Sequence, residues 1–285
     1  MVINNPIVSL SLVCLIFFGH TILSFAQIKH HSTSGRESKR NIKVVAHRAN
    51  NGEEKYPENS ITMIQSCLDQ GLQILELDIR QTKDKQLVIL HDKTVDRTTN
   101  GKGNIADLTL HELQQLNLKH EGKITRLKVP TLEEVLKLTK GKVMLDLDIK
   151  IEGEDSYRRI VELVKKYDMN ENVLFFLYDV ADIPTLHKLA PNAQILARVR
   201  NSEEINLVQQ YPFIRYIHID EECYADATMK SLIDKGYEVW LNSLGHYDRL
   251  QKSNGNGFEQ FLKKYPHITI IQTDLGLELI RYLNR

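Results

Sequence analysis

Two carboxylates stand one residue apart inside an apolar run, Ile74-Leu75-Glu76-Leu77-Asp78-Ile79. In a strand, alternate side chains share a face. Glu76 and Asp78 would then lie on one side, roughly 6–7 Å apart at Cα, with the leucines and the isoleucine between them on the other. Two bare anions buried side by side are very costly unless a positive charge compensates them. A hard divalent cation such as Mg2+ or Ca2+, which takes carboxylate oxygens, is the natural compensation. Salt bridges from Glu76 and Asp78 to Arg48 or Lys150 are the competing reading. The same alternation recurs at Asp146, Asp148 and Lys150, and a His-Arg pair, His47-Arg48, closes another short apolar run.

The elements that must position these groups alternate along the chain. The patterns predict strands over 43–46, 74–80, 143–149, 173–177, 194–197, 216–219, 238–241 and 269–272. Helical patterns fall between them, at 61–69, 157–166, 183–189, 203–210, 228–235 and 258–264. Two capping boxes, Thr109-x-x-Glu112 and Thr131-x-x-Glu134, mark further helix starts. The run Leu87-Val88-Ile89-Leu90 follows Thr82-Lys83-Asp84-Lys85, a gap too short for a parallel crossover. It reads as the return arm of a hairpin extending the second strand, bringing His91 back near the level of Asp78. Apart from that arm, eight βα units in about 245 residues predict a TIM (β/α)8 barrel with a hairpin extension after the second strand. An open doubly wound sheet is the alternative, but no Gly-rich dinucleotide fingerprint follows the first strand. In a TIM barrel the active site lies at the C-terminal strand ends, where His47, Arg48, Glu76, Asp78, Asp146, Asp148 and Lys150 fall.

The 285 residues balance 37 basic against 37 acidic side chains. A formal net charge of zero implies no bulk attraction to nucleic acid or to an anionic membrane. Residues 6–18 are almost wholly apolar, and Ser24-Phe25-Ala26 supplies small residues at the −3 and −1 positions. Residues 1–26 therefore read as a secretory signal peptide, since the apolar run is short for a membrane span. Residues 27–41, polar and basic, read as a disordered leader, and 42–285 as the folded domain. The expectation is an exported chain, periplasmic or secreted, with no stable membrane insertion of the mature domain. Cys67 and Cys223 either form one disulfide or remain thiols. Nothing in the sequence fixes an oligomeric state.

Several segments together resemble the glycerophosphodiester phosphodiesterase family in order and spacing. They are Ala46-His47-Arg48, Pro57-Glu58-Asn59-Ser60, Glu76-Leu77-Asp78-Ile79, Thr82-Lys83-Asp84, His91-Asp92, Asp96-Arg97-Thr98-Thr99 and Pro130-Thr131-Leu132-Glu133-Glu134, then Asp148-Ile149-Lys150, Trp240-Leu241-Asn242 and Thr273-Asp274. The resemblance spans 42–282 and is most specific over 47–103. It implies a TIM barrel that uses a divalent metal to hydrolyse glycerophosphodiesters to glycerol 3-phosphate and an alcohol. Matched residue by residue, it implies His47 and His91 as the catalytic histidines and Arg48 as the phosphate-binding arginine. It also implies Glu76, Asp78 and Asp148 as the metal carboxylates. Lys150 and Glu58 join Arg48 as candidate substrate-binding groups.

The chain departs from the family pattern at a few positions. Ala49 follows His-Arg where the family has Gly, a cost if that position needs a positive φ. Lys85 stands where a turn Gly is usual. Asp148 is one methylene shorter than the usual Glu, a feature that also fits phospholipase-D-like relatives on the same barrel. Two alternatives therefore stand beside the small-diester hydrolase. One is a phospholipase-D/C-like barrel acting on lysophospholipid or phosphoinositide, and the other a catalytically impaired phosphodiester-binding protein. The polar character of 243–257 favours small soluble substrates. Glu58-Asn59 reads either as a helix start with Asn59 as cap or as a group that orients the site. Asp146 reads as a residue supporting the metal ligands.

Overall fold

A computed structural model describes residues 41–285 together with Met1. The signal peptide expected over 1–26 and the leader over 27–41 lie outside the described residues, apart from Met1 and Asn41. The strands are β1 (Lys43–Ala46), β2 (Ile74–Gln81), β3 (Leu87–Ile89), β4 (Lys119–His120), β5 (Lys123–Ile124), β6 (Met144–Ile149), β7 (Val173–Leu177), β8 (Gln194–Val199), β9 (Tyr216–Ile219), β10 (Glu238–Asn242) and β11 (Ile270–Thr273). The α-helices are α1 (Ile61–Asp69), α2 (Leu110–Leu113), α3 (Leu132–Thr139), α4 (Glu154–Lys166), α5 (Ile183–Leu189), α6 (Ser202–Val208), α7 (Asp226–Asp234), α8 (His246–Asn254), α9 (Gly257–Lys264) and α10 (Gly276–Leu283).

Strands β1, β2 and β6–β11 pair in parallel around a ring, and the β1–β2 pairing closes it. The result is the expected TIM barrel, with β3 antiparallel to β2 as the hairpin arm. The ring order β1-β2-β6-β7-β8-β9-β10-β11 sets β9 across the barrel from β2. Outward-facing residues such as Leu75, Leu77 and Ile79 pack with the helices in one continuous core. The barrel interior is apolar below, where Val45, Ile74, Leu174, Phe176, Leu196, Trp240 and Ile270 meet. Toward the C-terminal ends the same inward faces turn polar.

Local chemistry accounts for the helix starts. Both predicted capping boxes are present, at Thr109–Glu112 on α2 and Thr131–Glu134 on α3. Helix α4 buries Tyr157, Ile160, Val161 and Val164, the i, i+3, i+4, i+7 stripe of an amphipathic helix. Between β3 and α3 the chain makes a long excursion with its own small core of Val88, Leu90, Val95, Ile105, Leu113, Leu118 and Val129. The stretch 243–257, read from sequence as a polar segment, contains α8, which buries Tyr247, Asp248 and Gln251. Its buried face is mostly polar, so an apolar periodicity had little to reveal. No helix among the described residues is long and apolar enough to cross a membrane.

Cys67 and Cys223 are both free thiols. Cys67 is buried and donates to the Ala49 carbonyl at 2.8 Å, and burial pushes its pKa up to about 12.

Candidate active site

The alternation expected of β2 and β6 holds. Glu76 lies beside Asp146 and Asp78 beside Asp148 in the parallel register, so four acids face inward from adjacent strands. One oxygen each of Glu76, Asp78 and Asp148 lies within 4.8 Å of the others, a separation a single metal ion can span. Glu76 Oε1, Asp78 Oδ1 and Asp148 Oδ1 are buried without a hydrogen-bond partner, as is Asp146 Oδ1. Burial drives the Glu76 carboxyl well above the usual carboxylate range, and the charges of Asp78, Asp148 and Asp146 add to the effect. Asp146 and Asp148 are also raised, burial again being the largest cause. Such a cluster fits a hard cation with oxygen ligands, because its ligand oxygens converge and the chain's own cations relieve its repulsion only in part.

The salt-bridge reading accounts for part of the pairing. Lys150 Nζ donates to Asp148 Oδ2 at 2.5 Å and sits 3.4 Å from Asp78 Oδ1. It also meets the Tyr178 hydroxyl at 2.5 Å, and that hydroxyl donates to Asp148 Oδ2 at 2.9 Å. Burial alone would lower the Lys150 pKa, but the Asp148 charge and hydrogen bond outweigh it and hold the ammonium protonated. Lys150 and Arg48, the latter 3.8 Å from Asp78, are two cations beside four inward acids, which leaves an excess of negative charge when all four are ionised.

The turn after β1 aims the His-Arg pair. Arg48 and Ala49 both adopt left-handed backbone, φ 51° and 54°, so the position that usually holds Gly does require a positive φ. The turn points the Arg48 backbone N–H at Glu76 Oε2, 2.7 Å away. The Arg48 side chain donates to Glu58 Oε1 at 3.2 Å and keeps a buried, unpartnered Nε 3.8 Å from Asp78. His47 Nδ1 is engaged by Asp274 Oδ1 at 2.8 Å, and its Nε2 lies 3.9 Å from Glu76 Oε2. Burial raises the Asp274 pKa, but the His47 bond and charge bring it below the ordinary value.

The hairpin returns as expected, with the Leu90 N–H on the Asp78 carbonyl at 3.0 Å. Arg80 clamps the next residue by donating to the His91 carbonyl at 3.0 and 2.7 Å and to the Lys150 carbonyl at 2.9 Å. His91 Nδ1 is engaged by Asp92 at 2.7 Å. Arg97 then bridges Asp92 to Glu58 through four hydrogen bonds, and Glu58 holds Arg48. His91 thus joins the site through a continuous ionic chain, Asp92–Arg97–Glu58–Arg48. Asn59 is not the cap of α1. Ser60 is, accepting from Met63 N, and Asn59 turns inward to donate to Asp78 Oδ2 at 2.9 Å.

A cavity of about 470 Å3 opens beside the carboxylate cluster and continues to the opposite wall at β8–β10; Arg48, Asp78, His91 and Lys150 are not among its lining residues. His47, Glu76, Asp146 and Asp148 line its near side.

The chain matches the model of the Glycerophosphoryl diester phosphodiesterase family over residues 47–262. It belongs to that family. A glycerophosphodiester phosphodiesterase from Caldanaerobacter subterraneus subsp. tengcongensis is 34% identical over 159 residues, which cover 53% of this chain and 64% of that relative. A mouse lysophospholipase D is 30% identical over 193 residues, 60% of each chain. Among solved structures, a glycerophosphoryl diester phosphodiesterase from Parabacteroides distasonis matches with a TM-score of 0.76 at 26% identity, covering 87% of this chain and 88% of that one.

Within this family member, sequence reasoning named every group around the carboxylate cluster except those that hold them. Asp274 and Asp92, which fix the two histidines, were visible only as neighbours in a motif. Tyr178 had a usable signal: it continues the inward alternation of Leu174 and Phe176 past the end of β7.

Proposed function

We propose that this protein hydrolyses glycerophosphodiesters to glycerol 3-phosphate and an alcohol, with a divalent cation, Mg2+ or Ca2+, held by Glu76, Asp78 and Asp148. One observation carries the reading. Three carboxylates, Glu76 and Asp78 buried and Asp148 partly so, converge with a buried unpartnered oxygen each, beside an arginine whose buried Nε is also unpartnered. A phosphodiester is the ligand class that asks for both at once. A bound divalent cation draws charge from the phosphate and lowers the repulsion that turns nucleophiles away.

The chain's own residues supply the rest. Arg48 and Lys150 grip phosphate oxygens, most strongly as charge shifts in the transition state. Glu58, held by Arg97, fixes the angle of the Arg48 guanidinium. Asp274 and Asp92 occupy Nδ1 of His47 and His91, which leaves Nε2 of each ring to handle protons. The two serve as base and acid on opposite sides of the displacement. The glycerol hydroxyl beside the ester attacks phosphorus after losing its proton to the base. The bond to the departing alcohol breaks as the acid protonates its oxygen. Water then opens the resulting cyclic phosphate.

The lining favours small soluble diesters over intact lysophospholipids. Besides Met1, the exposed large apolar residues among those described are Tyr56 and Ile124, too few for an apolar lip. We also propose export, on the strength of residues 6–26 in the sequence, which intact-mass measurement of the mature chain tests.

Steady-state assays on a panel of glycerophosphodiesters test the function. Activity should vanish with chelator and return with Mg2+ or Ca2+, and Glu76→Gln should lose at least about 100-fold in kcat/KM. Undiminished turnover by Glu76→Gln would remove the metal assignment.

A further inference from the structure

The cavity extends well past the reacting groups, and its far wall is built on the strands opposite β2. Two polar atoms there, His218 Nδ1 on β9 and Asn242 Oδ1 on β10, are buried without a hydrogen-bond partner. Both side chains line the cavity, and His218 is only 8% exposed. They are neighbours: the Asn242 carboxamide lies close enough to the His218 ring to offset part of the fall in pKa that burial imposes, but the two do not meet in a well-formed hydrogen bond, and Trp240 of β10 pairs with His218 in the strand register. The nearest acid, Asp220, lies 3.9 Å from His218 Nδ1 but is locked by Arg198 in a two-pronged pair at 2.8 and 2.7 Å. Burial lowers the His218 pKa to about 4, so the ring is neutral under ordinary conditions.

We infer that His218 and Asn242 form a subsite for a hydroxyl group on the alcohol arm of the diester that the reaction expels, selecting polyhydroxy alcohols over quaternary ammonium head groups. The inference rests on the phosphodiesterase reading above. The arm that carries the attacking hydroxyl is tied to the side of His47, His91 and Arg48. The other arm is the one free to cross the mouth toward β9 and β10. A hydroxyl both donates and accepts, so a single one can satisfy a neutral imidazole nitrogen and a carboxamide oxygen together. A trimethylammonium group can satisfy neither, and a site that leaves buried polar groups unpaired discriminates strongly against the ligand responsible. Aromatic capture of such a cation is also poorly supported. The Tyr178 ring already carries Lys150 at 5.2 Å and Arg198 at 6.0 Å, and the Phe176 ring is packed edge-to-face against Tyr178 and His218.

The experiment compares kcat/KM on glycerophosphoinositol and bis(glycerol) phosphate with that on glycerophosphocholine, for the wild type, His218→Phe and Asn242→Leu. Phe preserves the ring shape beside Phe176, and Asn242→Leu tests the other partner independently if His218→Phe fails to fold. The wild type should favour the polyol diesters by about 10-fold or more, and each folded variant should lose about 10-fold on them with little change on the choline diester. Wild-type preference for the choline diester, or equal losses on all three substrates, would overturn the subsite. Absence of turnover on every diester by the wild type would instead count against the phosphodiesterase reading itself.

Discussion

Each candidate catalytic histidine is a two-residue device. Asp274 and Asp92 occupy Nδ1 of His47 and His91 and leave Nε2 of each ring free, and His47 Nε2 lies beside Glu76. The histidines were legible from sequence because their neighbours, Arg48 and Asp92, made a recognisable pattern. The Asp274 contact was not, since it joins residues 227 apart that only closure of β11 onto β1 brings together. Backbone conformation was half legible. Ala49 and Lys85, which stand at positions where glycine is usual, do sit at positive φ, whereas nothing in the sequence signals the left-handed Arg48 just before Ala49. Lys85 gives the cleaner test because its side chain is exposed and the turn needs only its backbone, which donates to Thr82 at 2.9 Å. A non-glycine residue pays about 1–2 kcal/mol in the left-handed region, and glycine returns part of that through unfolded-state entropy. Lys85→Gly should therefore raise stability by about 0.5–1 kcal/mol in urea denaturation. A loss of stability would mean that the lysine makes a favourable contact the turn depends on.

At the scale of elements, the period-two alternation of β2 and β6 revealed the site, because inward and outward faces differ sharply in polarity. The hairpin arm was legible from gap length alone. The excursion between β3 and α3 was not, since its strands are two residues long and its core is assembled from scattered single side chains. Helix α8 was hidden for a related reason. It packs against α9 through backbone contact, so no apolar stripe announces it. Gly257 makes that contact possible: a Cβ there would lie 2.0 Å from the Tyr247 carbonyl oxygen and 2.5 Å from the Gln251 nitrogen. Neither backbone atom can move away as a side chain would. The Asp248 carboxylate on the same helix accepts from Ser243, Thr273 and the Asp274 backbone, which ties the α8 position to the acid behind His47. Gly257→Ala should cost about 2–3 kcal/mol by overpacking, read as a lower denaturation midpoint at unchanged slope. A change within about 0.5 kcal/mol would show that the two helices separate without penalty.

For the molecule as a whole, a net charge of zero conceals a strongly uneven interior. On the β2–β6 face, Glu76, Asp146 and Asp148 have raised pKa values, burial being the main cause and mutual repulsion the next for Glu76 and Asp146. Their folded form therefore holds protons more tightly than the unfolded chain. The stability this confers is present at low pH and is lost as pH rises through the raised values. Glu58 and Asp274 run the other way: their lowered pKa values give stability that is present at higher pH and lost as pH falls through the folded values. His218 also opposes the cluster at mildly acidic pH: its pKa of about 4 gives stability that rises with pH up to the unfolded value of about 6.5, so the inward cluster is read above about pH 7. Without metal, the melting temperature should fall as pH rises from there. Saturating Mg2+ or Ca2+ neutralises the cluster, so the metal-induced rise should grow with pH and reach about 5–10 °C at one hundred times Kd. Glu76→Gln removes one of the repelling charges along with a ligand. It should raise the metal-free melting temperature at pH 8 while abolishing most of the metal-dependent increase, an opposite pair of effects that simple loss of packing cannot produce. A variant that melts lower than the wild type in chelator would place the dominant role of Glu76 in its bond to the Arg48 backbone rather than in charge repulsion.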